Sequence, residues 1–138
     1  MYKTKNFSIK ELVHPRIINA IGEHMAWRML DTGCLMDLDF IRDLWGYPIY
    51  INQGLHDSRG LRPPNDGDGA FYSIHKQGKA FDLVPHNGDV LRLWEFIYAL
   101  IQDDKLCRFN TMESLAFTPT WVHAACTNTG EKPLVINP

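Results

Sequence analysis

Apolar residues recur at helical spacing in three stretches of the chain. Ile18, Ile21, Met25, Trp27 and Leu30 follow Pro15, and their spacing predicts an amphipathic helix over 16–30. Asp31-Thr32-Gly33 interrupts the pattern. Leu35, Leu38, Ile41 and Leu44 then recur every third residue, predicting a second helix over 35–45 that stops at Gly46. Further on, Val90, Leu91, Leu93, Trp94, Phe96, Ile97, Leu100 and Ile101 predict a helix over 89–102, apolar enough to be largely buried. Ahead of all three, Ser8 followed by Glu11 matches a capping box and predicts a short helical turn.

The remaining apolar residues fall in short runs. Residues 47–52, with Tyr47, Ile49, Tyr50 and Ile51 between Gly46 and Gly54, predict a strand. Residues 71–75 and 79–84 predict two short extended pieces around a turn at Gln77-Gly78, and 106–109, 120–124 and 134–136 are also strand-like. Helices come first and short strands crowd the second half. That order predicts an α+β fold, a small, mainly antiparallel sheet flanked by helices. Between 53 and 70 the chain is rich in glycine, proline, Asp, Asn and Ser. A loop of this length in a compact domain is usually functional or disordered, and its running straight into a histidine-bearing segment favours function.

A chain of 138 residues suits one domain, 1–138, large enough to build a core without staples. Its formal net charge of -2 and interspersed signs give no basic tract, so no nucleic acid and no membrane are expected as partners. Cys34, Cys107 and Cys126 include no C-x-x-C pair. They are expected to be buried small hydrophobes in a reducing compartment rather than a disulfide framework. Ser8, Lys10 and Glu11 interrupt what could have been a signal peptide, and no apolar run reaches membrane-spanning length. The expectation is a chain cytoplasmic as synthesised, acting as a monomer.

The candidate chemistry lies in Ser73-Ile-His75-Lys-Gln-Gly78-Lys-Ala80-Phe-Asp82, followed downstream by Trp121-Val-His123. His75 and Asp82 flank a predicted tight turn, with small residues at Gly78 and Ala80 that let the backbone close up. His123 would come from a neighbouring strand. Two imidazoles and one carboxylate suit a catalytic zinc ion (Zn2+) with a fourth position open to water, which zinc makes a better nucleophile at neutral pH. Histidines beside loops are also often plain surface or core residues.

The pattern Ser-x-His-x-x-Gly-x-Ala-x-Asp followed by Trp-x-His resembles the zinc D-alanyl-D-alanine carboxypeptidase and L-alanyl-D-glutamate endopeptidase family. That family includes small phage endolysins and shares the fold of the Hedgehog signalling domain. The resemblance covers roughly 48–125, including Ile51-Asn52 and Gly60-Leu61-Arg62, which look like the family's strand and its Gly-aromatic-Arg element. It implies His75, Asp82 and His123 as zinc ligands. It also implies Arg62 and Ser73 as groups that bind substrate carboxylate and carbonyl oxygens, with Arg59 the alternative to Arg62; a guanidinium fork pairs with a carboxylate bidentately. The substrate would be a peptidoglycan stem peptide, reached through a holin-type pore or from a virion.

The chain departs from the family at Thr120, where relatives carry a catalytic Glu or Asp three residues before the last histidine. A threonine cannot serve as general base at neutral pH. Glu113 is the nearest upstream carboxylate, brought to the metal if the loop 114–119 folds it back; Asp66 and Asp68 are alternatives. Without such a base the chain would be an inactive relative, a zinc-holding wall-binding or virion module. His14, His24, His56 and His86 lack partners at ligand spacing and are expected at the surface or as caps, with His56 able to line a cleft. Trp121 would pack beneath the ligands and hold His123. Trp27, Trp45, Trp94 and Phe96 would pack the core rather than stack on sugars.

Overall fold

A computed structural model describes residues 1–67 and 73–137. Among these residues four helices precede or interrupt five strands: α1 (Ile9–Leu12), α2 (Pro15–Arg28), α3 (Thr32–Trp45), β1 (Ile49–Tyr50), β2 (Ala80–Pro85), α4 (Val90–Gln102), β3 (Thr111–Glu113), β4 (Val122–Ala125) and β5 (Leu134–Ile136). The strands form one sheet in the order β1-β2-β4-β3-β5. The β1–β2, β2–β4 and β4–β3 pairings are antiparallel and β3–β5 is parallel, so the α+β expectation holds with a mixed sheet.

Local chemistry sets the helix ends. The Glu11 carboxylate accepts the Ser8 N–H at 2.7 Å, as the capping-box spacing requires. Pro15 opens α2, and its missing N–H costs nothing at that position. The predicted helix 16–30 is not continuous, however. Gly22 takes a left-handed φ of 81° inside it, offsetting the two halves. Ile21 and Met25 are therefore exposed, while Ile17, Ala26, Trp27 and Leu30 reach the core. α3 starts earlier than its apolar pattern predicts, because the Asp31 side chain accepts the Cys34 N–H at 3.0 Å and caps it. Gly46, at φ 80°, ends it. On α4 only one face is buried, with Leu93, Ile97 and Ile101 inside and Leu91 exposed.

Several predicted strands are corrected. The run 47–52 keeps only Ile49–Tyr50, at the sheet edge. Residues 106–109 form no strand, because Asp37 on α3 takes their backbone donors: the N–H groups of Cys107, Arg108 and Phe109 all reach its carboxylate at 2.7–2.8 Å. Pairing starts at Thr111 instead. The piece ending at His75 is a 3₁₀ turn over Ile74–Gln77 rather than extended chain; its first residues, 71 and 72, lie outside the described residues. Gly78 closes that turn at φ 70°, with a Cβ position that would run into the Met29 carbonyl. Cys34 is buried as expected and Cys126 partly so, but Cys107 is exposed.

Strand alternation separates core from site. Phe81, Leu83, Val122, Ala124 and Met112 are fully buried; register pairs Phe81 with Ala124, Leu83 with Val122 and Met112 with Ala124, so all five share one face. α4 packs against β2 and β4. Asp82 and His123, at the intervening positions, project from the opposite face. Among the described residues no helix is long and apolar enough to cross a membrane.

Candidate metal centre

Three side chains converge on that second face. Asp82 and His123 are direct cross-strand partners of β2 and β4, and His123 Nδ1 lies 2.9 Å from Asp82 Oδ1. His75 arrives from the 3₁₀ turn, with its Nε2 3.3 Å from the same oxygen. Side-chain exposure is 5% for His75, 9% for Asp82 and 12% for His123. One donor atom from each of the three lies within 4.8 Å of the other two, so the group could hold a metal ion.

The surroundings suit that use. His75 Nδ1 stands 3.1 Å from the Gly60 carbonyl. A carbonyl oxygen only accepts, so Nδ1 carries a proton and Nε2 is the ring nitrogen that faces the cluster. Four donors about 2.0–2.2 Å from a tetrahedral zinc stand roughly 3.3–3.6 Å apart. The 3.3 Å separation meets that edge, and the 2.9 Å one needs a few tenths of an ångström of give. Without a metal the same atoms satisfy one another. Burial pushes the Asp82 carboxyl up, but hydrogen bonds from His123 and His75 outweigh it and hold the carboxyl well below the usual carboxylate range.

Glu113 reaches the site by strand register. Met112 of β3 pairs with Ala124 of β4, so the next position in line sets Glu113 beside His123. Its Oε1 lies 3.9 Å from His123 Nε2, the ring nitrogen not turned to Asp82. The loop 114–119 is not what brings it there. The Trp94 indole N–H donates to the Glu113 carbonyl at 2.9 Å, so α4 anchors this strand end.

A cleft of about 350 Å³ opens on Asp82, lined also by Leu55, His56, Arg59, Arg62, Thr120 and Trp121. Arg62 Nη2 lies 3.5 Å from Asp82 Oδ2, and its Nε donates to the Ser58 carbonyl at 2.6 Å. Arg59 donates to the Ile51 carbonyl at 3.3 Å; burial pulls its guanidinium below the ordinary value while Asp82 pushes it back up. The Ser73 hydroxyl accepts the His75 N–H at 3.3 Å and so caps the turn that carries His75. Thr120 is exposed at the cleft. Trp121 also lines that cleft.

Of the alternative bases, Asp66 accepts from the Ser58 hydroxyl at 3.3 Å, and Asp68 lies outside the described residues. His56 lines the cleft as expected, His14 caps α2, His86 meets the Tyr50 hydroxyl at 2.7 Å, and His24 is exposed. Gly60 and Asn52 are not ligand types, so the sequence does not mark them as site residues; the Gly60 carbonyl facing His75 and the Asn52 side-chain oxygen facing the Arg59 and Gly60 N–H groups emerge only in the folded chain. Compared with known protein families, curated proteins and solved structures, the chain matches none.

Proposed function

We propose that the chain is a zinc-dependent peptidase with a Hedgehog/DD-peptidase-like fold that hydrolyses peptide bonds in peptidoglycan stem peptides. One observation carries the reading: His75 Nε2 and His123 Nδ1 lie 3.3 and 2.9 Å from Asp82 Oδ1, one donor atom from each residue lies within 4.8 Å of the other two, and His75 Nδ1 is turned to the Gly60 carbonyl. Two imidazoles and one carboxylate form a donor set that zinc favours when it keeps an open position. The chemistry a bound zinc supplies there is Lewis-acid polarisation of a carbonyl and activation of water near neutral pH.

The protein's own groups do the rest. The Glu113 carboxylate takes the proton of the attacking water at Oε1 and hands it to the leaving amine. Arg59 and Arg62 hold a substrate carboxylate in the cleft, where two guanidinium groups stand beside one buried carboxylate. Ser73 holds the His75 turn and offers its hydroxyl to a substrate carbonyl. Trp121 and Leu55 give the cleft its apolar walls.

Metal analysis of the purified, tag-free protein beside a His75→Ala control is the test, followed by digestion of peptidoglycan. About one zinc per chain in the wild type, far less in the control, and release of muropeptides support the proposal. No zinc after reconstitution sinks it. Zinc without cleavage assigns the chain instead to a wall-binding or virion module, a reading favoured by Thr120 at the family's catalytic position.

A further inference from the structure

We infer that Asn52 is the positioning residue of the metal centre, acting through the backbone of Arg59 and Gly60; the inference rests on the zinc reading of the site. Asn52 follows β1 and is buried. Its side-chain oxygen accepts two consecutive backbone donors, the Arg59 N–H at 3.0 Å and the Gly60 N–H at 3.3 Å. The carbonyls of those two residues face the centre. Arg59 accepts the Asp82 N–H at 2.8 Å, and Gly60 accepts the Nδ1 proton of His75 at 3.1 Å. One amide oxygen thus fixes the strip of backbone that sets both the chain position of Asp82 and the tautomer of His75.

Among the described residues no other side chain accepts from these two N–H groups. From the far side the strip leans on main chain: Leu61 N–H donates to the Leu12 carbonyl at 2.8 Å, and Asn52 N–H donates to the Glu11 carbonyl at 2.9 Å. The Asn52 side-chain nitrogen is buried without a partner among the described residues. The residue is therefore held for its oxygen, at the cost of leaving a polar donor unsatisfied. An unsatisfied buried group tolerated beside a candidate centre points to a positioning role.

The test compares Asn52→Ala and Asn52→Asp with the wild type, with folding followed by circular dichroism. Asn52→Asp keeps the accepting oxygen. Two readouts are used: the His75 ring tautomer in the metal-free protein, from long-range proton–nitrogen NMR, and zinc affinity by competition with a chromophoric chelator. In Asn52→Ala we expect the Nδ1–H form of His75 to lose its dominance and zinc affinity to fall about 10–100-fold. Asn52→Asp should restore both. Should Asn52→Ala not fold, Asn52→Ser, whose oxygen stops about one bond short, is measured against the same expectations. A folded Ala or Ser variant with wild-type tautomer and affinity overturns the inference, as does an Asp variant that restores neither. If the wild type binds no zinc the peptidase proposal fails, while the tautomer readout still decides the role of Asn52.

Discussion

Asp82 and His123 face each other as opposed residues of β2 and β4, with Nδ1 of the imidazole 2.9 Å from Oδ1 of the carboxylate. Cross-strand partners at one register position project to the same side of a sheet, so neither needs a loop to find the other. Asp82→Asn keeps the shape and removes the charge. It is expected to weaken zinc binding by more than the roughly 10–100-fold typical of losing a group that only supports a ligand. Chelator competition gives the number, and an unchanged affinity would remove Asp82 from the ligand set.

Glu113 continues the same row onto β3. Glu113→Gln should lower muropeptide release by about 10²–10⁴-fold, the range for loss of a general base, with zinc content kept. Loss of zinc in step with activity would instead mean that Glu113 holds His123 in place.

How far the site could be read from sequence follows from these rows. His75, Asp82 and His123 stood out because ligand types are rare and their order is specific, and α3 and α4 because their periodicity is strong. The position of Glu113 was hidden because it depends on pairing β3 with β4 across an eight-residue loop, a register that no local pattern encodes. Residues 106–109 looked like a strand until their N–H groups proved to belong to Asp37, a carboxylate 70 residues earlier on a helix. The offset in α2 was signalled by Gly22, but a lone glycine in a helical run is usually absorbed as a small cost.

Gly60 joins α1 to the metal centre. A Cβ there would collide with the Leu12 carbonyl, which cannot move without losing its bond from Leu61 N–H. Gly60→Ala should cost about 1–3 kcal/mol, as overpacking does, and lower zinc occupancy because the displaced Gly60 carbonyl no longer fixes His75. Urea unfolding of the metal-free protein and metal analysis of the loaded protein check the two halves separately.

Asp31 caps α3 and pairs with Arg108, Nη2 to Oδ2 at 3.1 Å. Burial alone would raise its carboxyl, but the Cys34 N–H and the Arg108 guanidinium together hold it below the ordinary range. A carboxyl depressed in the folded state adds stability above its unfolded value, about 3.9, and that contribution disappears as pH falls toward the folded value. Asp31→Ala should therefore cost about 0.5–2 kcal/mol at neutral pH, and the gap to the wild type should close below pH ~4. Denaturant midpoints of both proteins between neutral and acid pH measure it; a gap that widens in acid contradicts the assignment.

Asp37 is 1% exposed and serves three backbone donors as well as the Cys107 thiol, whose Sγ lies 3.1 Å from Oδ1. Asp37→Ala would orphan the N–H groups of Cys107, Arg108 and Phe109. At about 1–3 kcal/mol each for those left dry, the loss should be among the largest of any single substitution outside the apolar core. The thiol reports the same interaction more gently. Partial burial, then the hydrogen bond to Asp37 and its negative charge, push the Cys107 thiol up to about 11. Its thiolate is therefore scarce at pH 8, and alkylation should be slower than for a free cysteine. Asp37→Asn removes the charge and should speed iodoacetamide labelling of Cys107, followed by mass spectrometry under native conditions. An unchanged rate would mean that the Asp37 charge does not restrain this thiol.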